Sequence, residues 1–179
     1  MGDSMAGLDE IVLFLEGQKK RFFHFTDIEN LPGIRQRGLL SMATIRGENI
    51  QVPRPGGNQW SWDADTACGM DEYVHLCFFK SHPMEWRARE EGRITKSAFL
   101  EINPEILRVN GVLVTDMVSN KSGCKPMSPE EAFDKLDLEV IYKRLDWTTA
   151  EVKERLNTAK KYEILIPNAV PLNMIMKFE

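Results

Sequence analysis

Segments with strand character gather at the two ends of the chain and helical segments fall between them, without a steady strand–helix–strand rhythm. That order argues for an α+β fold over a doubly wound parallel sheet. Residues 8–18 read as a short amphipathic helix, and Arg21–Thr26 follows as a strand with Phe23 and Phe25 on one face and Phe22, His24 and Thr26 on the other. Asp27 is placed to cap a helix through Asn30, Leu31, Ile34 and Arg37 that Gly38 stops. Tyr73–Phe79 is a continuous apolar strand, and Ser81-His82-Pro83 starts a helix that Gly92 ends. Ala98–Ile102 and Val112–Thr115 are further strands. Ser128-Pro129-Glu130-Glu131 is a capping box, as is Thr148 with Glu151 before a helix to about Lys160. Tyr162–Ile166 and Met174–Phe178 close the chain as strands. Neither G-x-G-x-x-G nor a P-loop occurs, which disfavours a Rossmann dehydrogenase and a P-loop NTPase.

Between these elements lies Val52–Asp71, which combines turn residues and two tryptophans without a clear period and is expected as a long loop. Loops of that length inside compact domains are usually functional or disordered. Trp60 and Trp62, beside Arg54, either form a nucleobase platform or pin the loop to the body. Glu163 stands out because it shares a strand face with Leu165 while Tyr162, Ile164 and Ile166 take the other. A carboxylate there has a partner, a raised pKa or a task, unless the strand is an edge and the side chain reaches water. His24 and Thr26 lead into a helix N-terminus, a geometry suited to sugar hydroxyls with helix amides on phosphate oxygens. The alternative is a core histidine satisfied by backbone. Tyr73 either stacks on a flat ring or fills the core.

With 179 residues, 42% hydrophobic and 28% charged, the chain can bury one ordinary core without a disulfide or metal staple. Its cysteines, Cys68, Cys77 and Cys124, are odd in number and form no C-x-x-C, which points to a reducing compartment. Three histidines and no H-E-x-x-H make metal catalysis a poor expectation. The net charge of -4 hides a gradient. Residues 1–18 carry four acids and no Lys or Arg, whereas residues 19–54 carry seven Lys/Arg against three acids. That block (Lys19, Lys20, Arg21, Arg35, Arg37, Arg46, Arg54) is either a phosphate-ligand field or an ordinary solvated surface. The apolar run Ile11–Leu15 is too short for a membrane span and follows acids, and Ala6 breaks a myristoylation signal. A cytoplasmic protein without membrane attachment is expected, its first few residues being candidates for vector-derived sequence.

R-F-F-H-F-T-D-I-E-N-L-P-G-I-R-Q-R-G-L-L, D-E-Y-V-H-L-C-F-F-K-S-H-P-M and K-K-Y-E-I-L-I-P-N-A-V-P-L, in that order and spacing, resemble the DarT family of DNA ADP-ribosyltransferase toxins. V-P-R-P-G-G, V-T-D and L-D-W fit as well, so the resemblance spans residues 21–175. It implies an ADP-ribosyltransferase-like split β-sheet core with peripheral helices over residues 21–179, after an N-terminal helical extension over residues 1–20. It implies NAD+ as co-substrate without a metal, and transfer of ADP-ribose to a guanine or thymine base in single-stranded DNA. A macrodomain antitoxin of the DarG type and a monomeric toxin are expected with it. Position by position, the resemblance puts His24, Thr26, Asn30 and Gly33 on NAD+, makes Glu163 the catalytic glutamate and selects Arg46 as the catalytic arginine. Tyr73 and Met84 would line the nicotinamide pocket, and Arg54, Trp60 and Trp62 would meet DNA. The family's common Y-V-P-F-Y-F reads Y-V-H-L-C-F-F here, with His75 in place of a proline, which leaves the guanine-modifying branch open. Transfer to RNA or protein, or a silent single-stranded nucleic-acid-binding module, are the alternatives.

Overall fold

The computed structural model describes residues 7–179; the expectation about vector-derived residues falls largely on residues outside that span. Helix α1 (Leu8–Gly17) precedes strand β1 (Phe22–Asp27), whose final residue caps a 3-10 turn at Ile28–Asn30 before helix α2 (Leu31–Arg37). Strand β2 (Leu39–Leu40), helix α3 (Met42–Gly47) and helix α4 (Gln59–Ala67) lead to strand β3 (Tyr73–Cys77) and helix α5 (Pro83–Glu90). Next come strands β4 (Ser97–Ile102) and β5 (Leu113–Thr115), then helices α6 (Pro129–Lys135), α7 (Leu138–Tyr142) and α8 (Ala150–Ala159). Strands β6 (Glu163–Pro167), β7 (Ala169–Val170) and β8 (Ile175–Phe178) finish the chain. The expected α+β class holds, with a six-stranded antiparallel sheet in the order β5-β6-β3-β1-β4-β8 and a small β2-β7 pair.

Cross-strand partners share a sheet face, so register assigns the two sides. Val74 faces Ile166, Leu76 faces Ile164 and Phe22 faces Ile102, all buried in the main core. On the other face His75 pairs with Leu165, and Cys77 with Glu163. β6 lies between β5 and β3, so the edge-strand account of Glu163 fails.

The sheet is split at its centre. β1 pairs with β4 at six positions and β3 with β6 at five, but β1 meets β3 only at Phe23 and Cys77. Beyond that point the strands part, and backbone groups facing the gap need other partners.

Helix α1 buries Ile11, Val12 and Leu15 in the same core as the sheet. The stretch expected as a loop over Val52–Asp71 contains α4, whose first amides are served by Asn58 accepting from Ser61 N–H at 2.9 Å. Only Ser61 of α4 is buried, so no apolar 3.6-residue repeat announces the helix. The capping threonine of α8 is Thr149, one residue beyond the expected Thr148, because Asp146 engages Thr148 through its amide and hydroxyl. Short α3, α7, β2 and β7 were not anticipated.

Gly38 turns α2 into β2 at φ 81° and ψ -170°, a region essentially restricted to glycine. A Cβ there would sit 2.4 Å from the Val170 carbonyl oxygen, part of the strand β2 must pair with. Gly38→Ala is expected to lower the stability read by urea unfolding by about 2–4 kcal/mol. A wild-type midpoint would disprove this reading of the turn.

Candidate active site

The split opens onto a cavity of about 450 Å³, within the usual range for small-molecule sites. Its walls include consecutive residues Phe23, His24, Phe25 and Thr26, so both faces of β1 contribute rather than the one expected from alternation. His24 Nδ1 lies 2.9 Å from the His75 carbonyl of the parted strand. A carbonyl only accepts, so Nδ1 carries the proton and Nε2 is left as an acceptor. Burial lowers the His24 pKa to about 4 against the opposing pull of that hydrogen bond, which keeps the ring neutral.

Thr26 and Asn30 are buried at the same end, one 3-10 turn apart. Asn30 Nδ2 donates to Thr26 Oγ1 at 3.0 Å and to the Arg54 carbonyl at 2.7 Å, while Asn30 Oδ1 accepts from Arg54 N–H at 2.9 Å. Its amide thus holds the incoming loop. The helix amides expected to meet phosphate are partly occupied as well, since Asp27 accepts from Glu29 N–H at 2.8 Å and from Thr95 N–H at 2.6 Å. Burial works against that carboxylate's charge, but these donors hold its pKa below the ordinary value. Gly33, Tyr73 and Met84 line the cavity, and open space surrounds the position a Gly33 Cβ would take.

Glu163 is 5% exposed and lines the same cavity. Its Oε2 accepts from Ser119 N–H at 2.9 Å and lies 3.4 Å from His75 Nδ1. Oε1 receives no hydrogen bond from the described residues. Burial alone would raise the carboxyl's pKa, but His75 and the Ser119 donors outweigh it and hold the group ionised. His75 responds in the opposite sense: desolvation opposes its charge, yet Glu163 and Asp65 raise its pKa to about 9. Asp65, on α4, accepts from Asn120 Nδ2 at 2.9 Å, and burial pushes its own pKa up. Asn120 Oδ1 is buried without a hydrogen-bond partner among the described residues. Cys77, opposite Glu163, is no nucleophile: burial pushes its thiol up to about 12.

The remaining expected residues separate from this group. Arg46 does not line the cavity; its guanidinium is held by Asp71 at 3.3 Å and Thr66 at 3.0 Å, and lies 5.9 Å from the Trp62 ring centre. Arg46 and Trp62 line a neighbouring surface hollow with Gln59, Asp63, Thr66 and Ala67. Trp60 and Trp62 belong to a helix, where two residues turn roughly 200°, so they cannot form one platform. Trp62 packs over Gly57 in the cavity wall, while Trp60 is 65% exposed under the Lys121 ammonium at 4.9 Å. Arg54 lies outside the lining and pairs with Glu29 at 3.3 Å. Of the basic block, Arg37 is the member that reaches the cavity, paired with Glu48 on the surface. Asp65, Ser119 and Asn120 escaped sequence reasoning because they sit in stretches without motif or period, and His75 was noted only as a departure.

Among the described residues no group of three or more His, Cys, Asp or Glu is arranged to hold a metal, and no helix is long and apolar enough to cross a membrane. A split antiparallel sheet with a buried, ionised glutamate facing the split defines an ADP-ribosyltransferase-like fold. The family model "ssDNA thymidine ADP-ribosyltransferase, DarT" matches residues 23–178, so the chain belongs to the DarT family, enzymes that transfer ADP-ribose from NAD+ to single-stranded DNA. Solved structures show the same fold. Thermus sp. 2.9 DarT in complex with ADP-ribosylated ssDNA aligns with a TM-score of 0.66 at 20% identity over 89% of this chain and 80% of that one. The same protein in complex with NAD+ gives 0.58 at 22% identity over 89% and 80%. Thermosipho africanus DarTG in complex with ADP-ribose gives 0.61 at 16% identity, over 89% of this chain and 43% of that one. No curated protein matches the chain.

Proposed function

We propose that the cavity at the β1–β3 split is the NAD+ site and that Glu163 is the catalytic residue acting on a nucleobase of single-stranded DNA. The observation that carries this reading is a buried carboxylate in the cavity wall whose Oε2 is engaged by Ser119 and His75 while Oε1 has no hydrogen-bond partner among the described residues. The N-glycosidic bond of NAD+ breaks with nicotinamide departing neutral, so no general acid is needed and positive charge develops on the ribose. Glu163 Oε1 accepts a ribose hydroxyl, steadies that charge and takes the proton from the base nitrogen as it bonds to the ribose carbon. His24 offers Nε2 as an acceptor to a sugar hydroxyl, and Thr26 retains its hydroxyl proton for donation. Tyr73 and Met84 bound the nicotinamide end, Gly33 leaves room for close approach, and Arg37 brings positive charge to the pyrophosphate.

Arg46 and Trp62, adjoining the cavity, and Arg54 and Trp60, further out, are assigned to the DNA strand, Arg46 also being the group to polarise a base carbonyl. The acceptor is single-stranded because base edges in a duplex are paired. The family description names thymidine; His75 in place of the family's strand proline keeps guanine as the second reading. The likeness to a DarTG structure supports a toxin paired with a macrodomain antitoxin, and a cytoplasmic monomer is the state assigned to it.

Labelled NAD+ should be incubated with single-stranded DNA lacking thymine, lacking guanine or containing both, beside duplex DNA, RNA and a protein lysate, and the products read by mass spectrometry. An ADP-ribose adduct on one base of single-stranded DNA is expected. Equal modification of duplex, or labelling confined to RNA or protein, would overturn the acceptor assignment.

A further inference from the structure

His75 takes no part in the NAD+ contacts assigned above, yet its ring lines the cavity and meets polar groups at both nitrogens. It lies on the sheet face of Glu163 and diagonal to it, since Cys77 is the direct partner of Glu163 and His75 that of Leu165. Nε2 is 3.0 Å from the Met70 carbonyl, and Nδ1 is 3.4 Å from both Glu163 Oε2 and Ser119 Oγ. A carbonyl and an ionised carboxylate only accept, so a proton on each ring nitrogen satisfies both contacts at once. An unprotonated Nδ1 would set its lone pair against that of a carboxylate inside a poorly solvated wall. We propose that His75 is a positioning residue for the transfer reaction, an imidazolium whose two N–H groups bridge Met70 to Glu163 Oε2 and so commit Oε1 to the substrate.

The inference rests on the catalytic reading of Glu163. With Ser119 N–H, His75 fixes the carboxylate plane from one side and brings a full positive charge beside it. The groups facing the ring from other elements are Asp65 on α4, Glu163 on β6, His24 on β1 and His82 ahead of α5. The two acids favour the imidazolium and the two histidines oppose it. His24 and His82 both have lowered pKa values and are neutral at physiological pH, so the acids prevail.

The test combines 15N NMR of the His75 ring with transfer kinetics over a range of pH. In the wild type both ring nitrogens are expected to be protonated at neutral pH, and the ring to titrate only well on the alkaline side. Glu163→Gln should return that titration toward ordinary histidine behaviour. His75→Leu should lower kcat about 10- to 100-fold with KM for NAD+ changed by less than about 3-fold, and the acid limb of its pH profile should move upward. His75→Asn keeps a donor without the charge; it should recover part of kcat and lose the alkaline limb. A neutral His75 ring at neutral pH, or a wild-type kcat and pH profile in His75→Leu, would overturn the proposal. Should His75→Leu fail to fold, the wild-type spectrum and His75→Asn decide alone. Full activity in Glu163→Gln would instead refute the catalytic reading, whatever the His75 spectrum shows.

Discussion

Glu163→Gln is expected to lower the rate of ADP-ribose transfer to single-stranded DNA by about 10³-fold or more while leaving the fold and NAD+ binding in place. The size of the effect follows from what the amide loses. Gln has nearly the same shape and can keep an oxygen on Ser119 N–H, so the wall of the cavity persists. It cannot take a proton from the attacking base, and it offers no negative charge to the cationic ribose. Retained NAD+ affinity with abolished transfer, measured by calorimetry beside the mass-spectrometric assay, is the expected pair of results. Transfer within a few-fold of wild type would remove Glu163 from the mechanism.

The second large effect is expected at His24. His24→Phe leaves the His75 carbonyl of the parted strand without its donor, an unpaired buried acceptor that costs about 1–3 kcal/mol. The variant also loses the acceptor Nε2, for which KM for NAD+ should rise about 10-fold. His24→Asn places an amide donor near the same carbonyl and should regain stability more fully than affinity. An unchanged KM in both variants would return His24 to a purely structural role.

The two cavity histidines His24 and His75 bias stability in opposite directions along the pH scale. His24 has a folded pKa depressed to about 4 from 6.5, so between those values the unfolded chain binds a proton that the folded chain refuses. Its contribution is complete above 6.5 and is lost as pH falls toward 4. His75 has a folded pKa raised from 6.5 to about 9, so its contribution is complete below 6.5 and is lost as pH rises through 9. Glu163, depressed below 4.5, adds stability above that value and loses it only at lower pH. Urea midpoints should therefore crest near neutrality. His24→Phe should flatten the acid side, and His75→Asn the alkaline side.

Much of the scaffold was open to a reader of the chain. The strand over Phe22–Thr26, the glycine stops at Gly38 and Gly92 and the Ser128 cap are local signals with local causes, and each is found where expected. α4 was missed because a helix that buries one serine has no apolar stripe to betray it, and a capping asparagine inside Gly/Pro punctuation reads as a turn. Arg46, the arginine that the resemblance selects, stands at the hollow adjoining the cavity, where Asp71, Thr66 and Trp62 hold it. Those partners lie 25, 20 and 16 residues away in sequence, beyond any local pattern.

By itself, the order of residues determined most of the strands and the capped helices, that one buried core holds them, and that Glu163 sits on a strand face shared with Leu165. Hydrophobic period and capping chemistry act over a few residues, so they can be read along the chain. Only the tertiary structure decided that β1 and β3 meet at a single pair and then part, because strand pairing joins residues 54 positions apart. The same non-local closure brought His75, Ser119 and Asp65 around Glu163, and with them the charge state of the carboxylate. Coulombic and hydrogen-bonding terms depend on distance in space and on exclusion of water, and neither is written in sequence spacing.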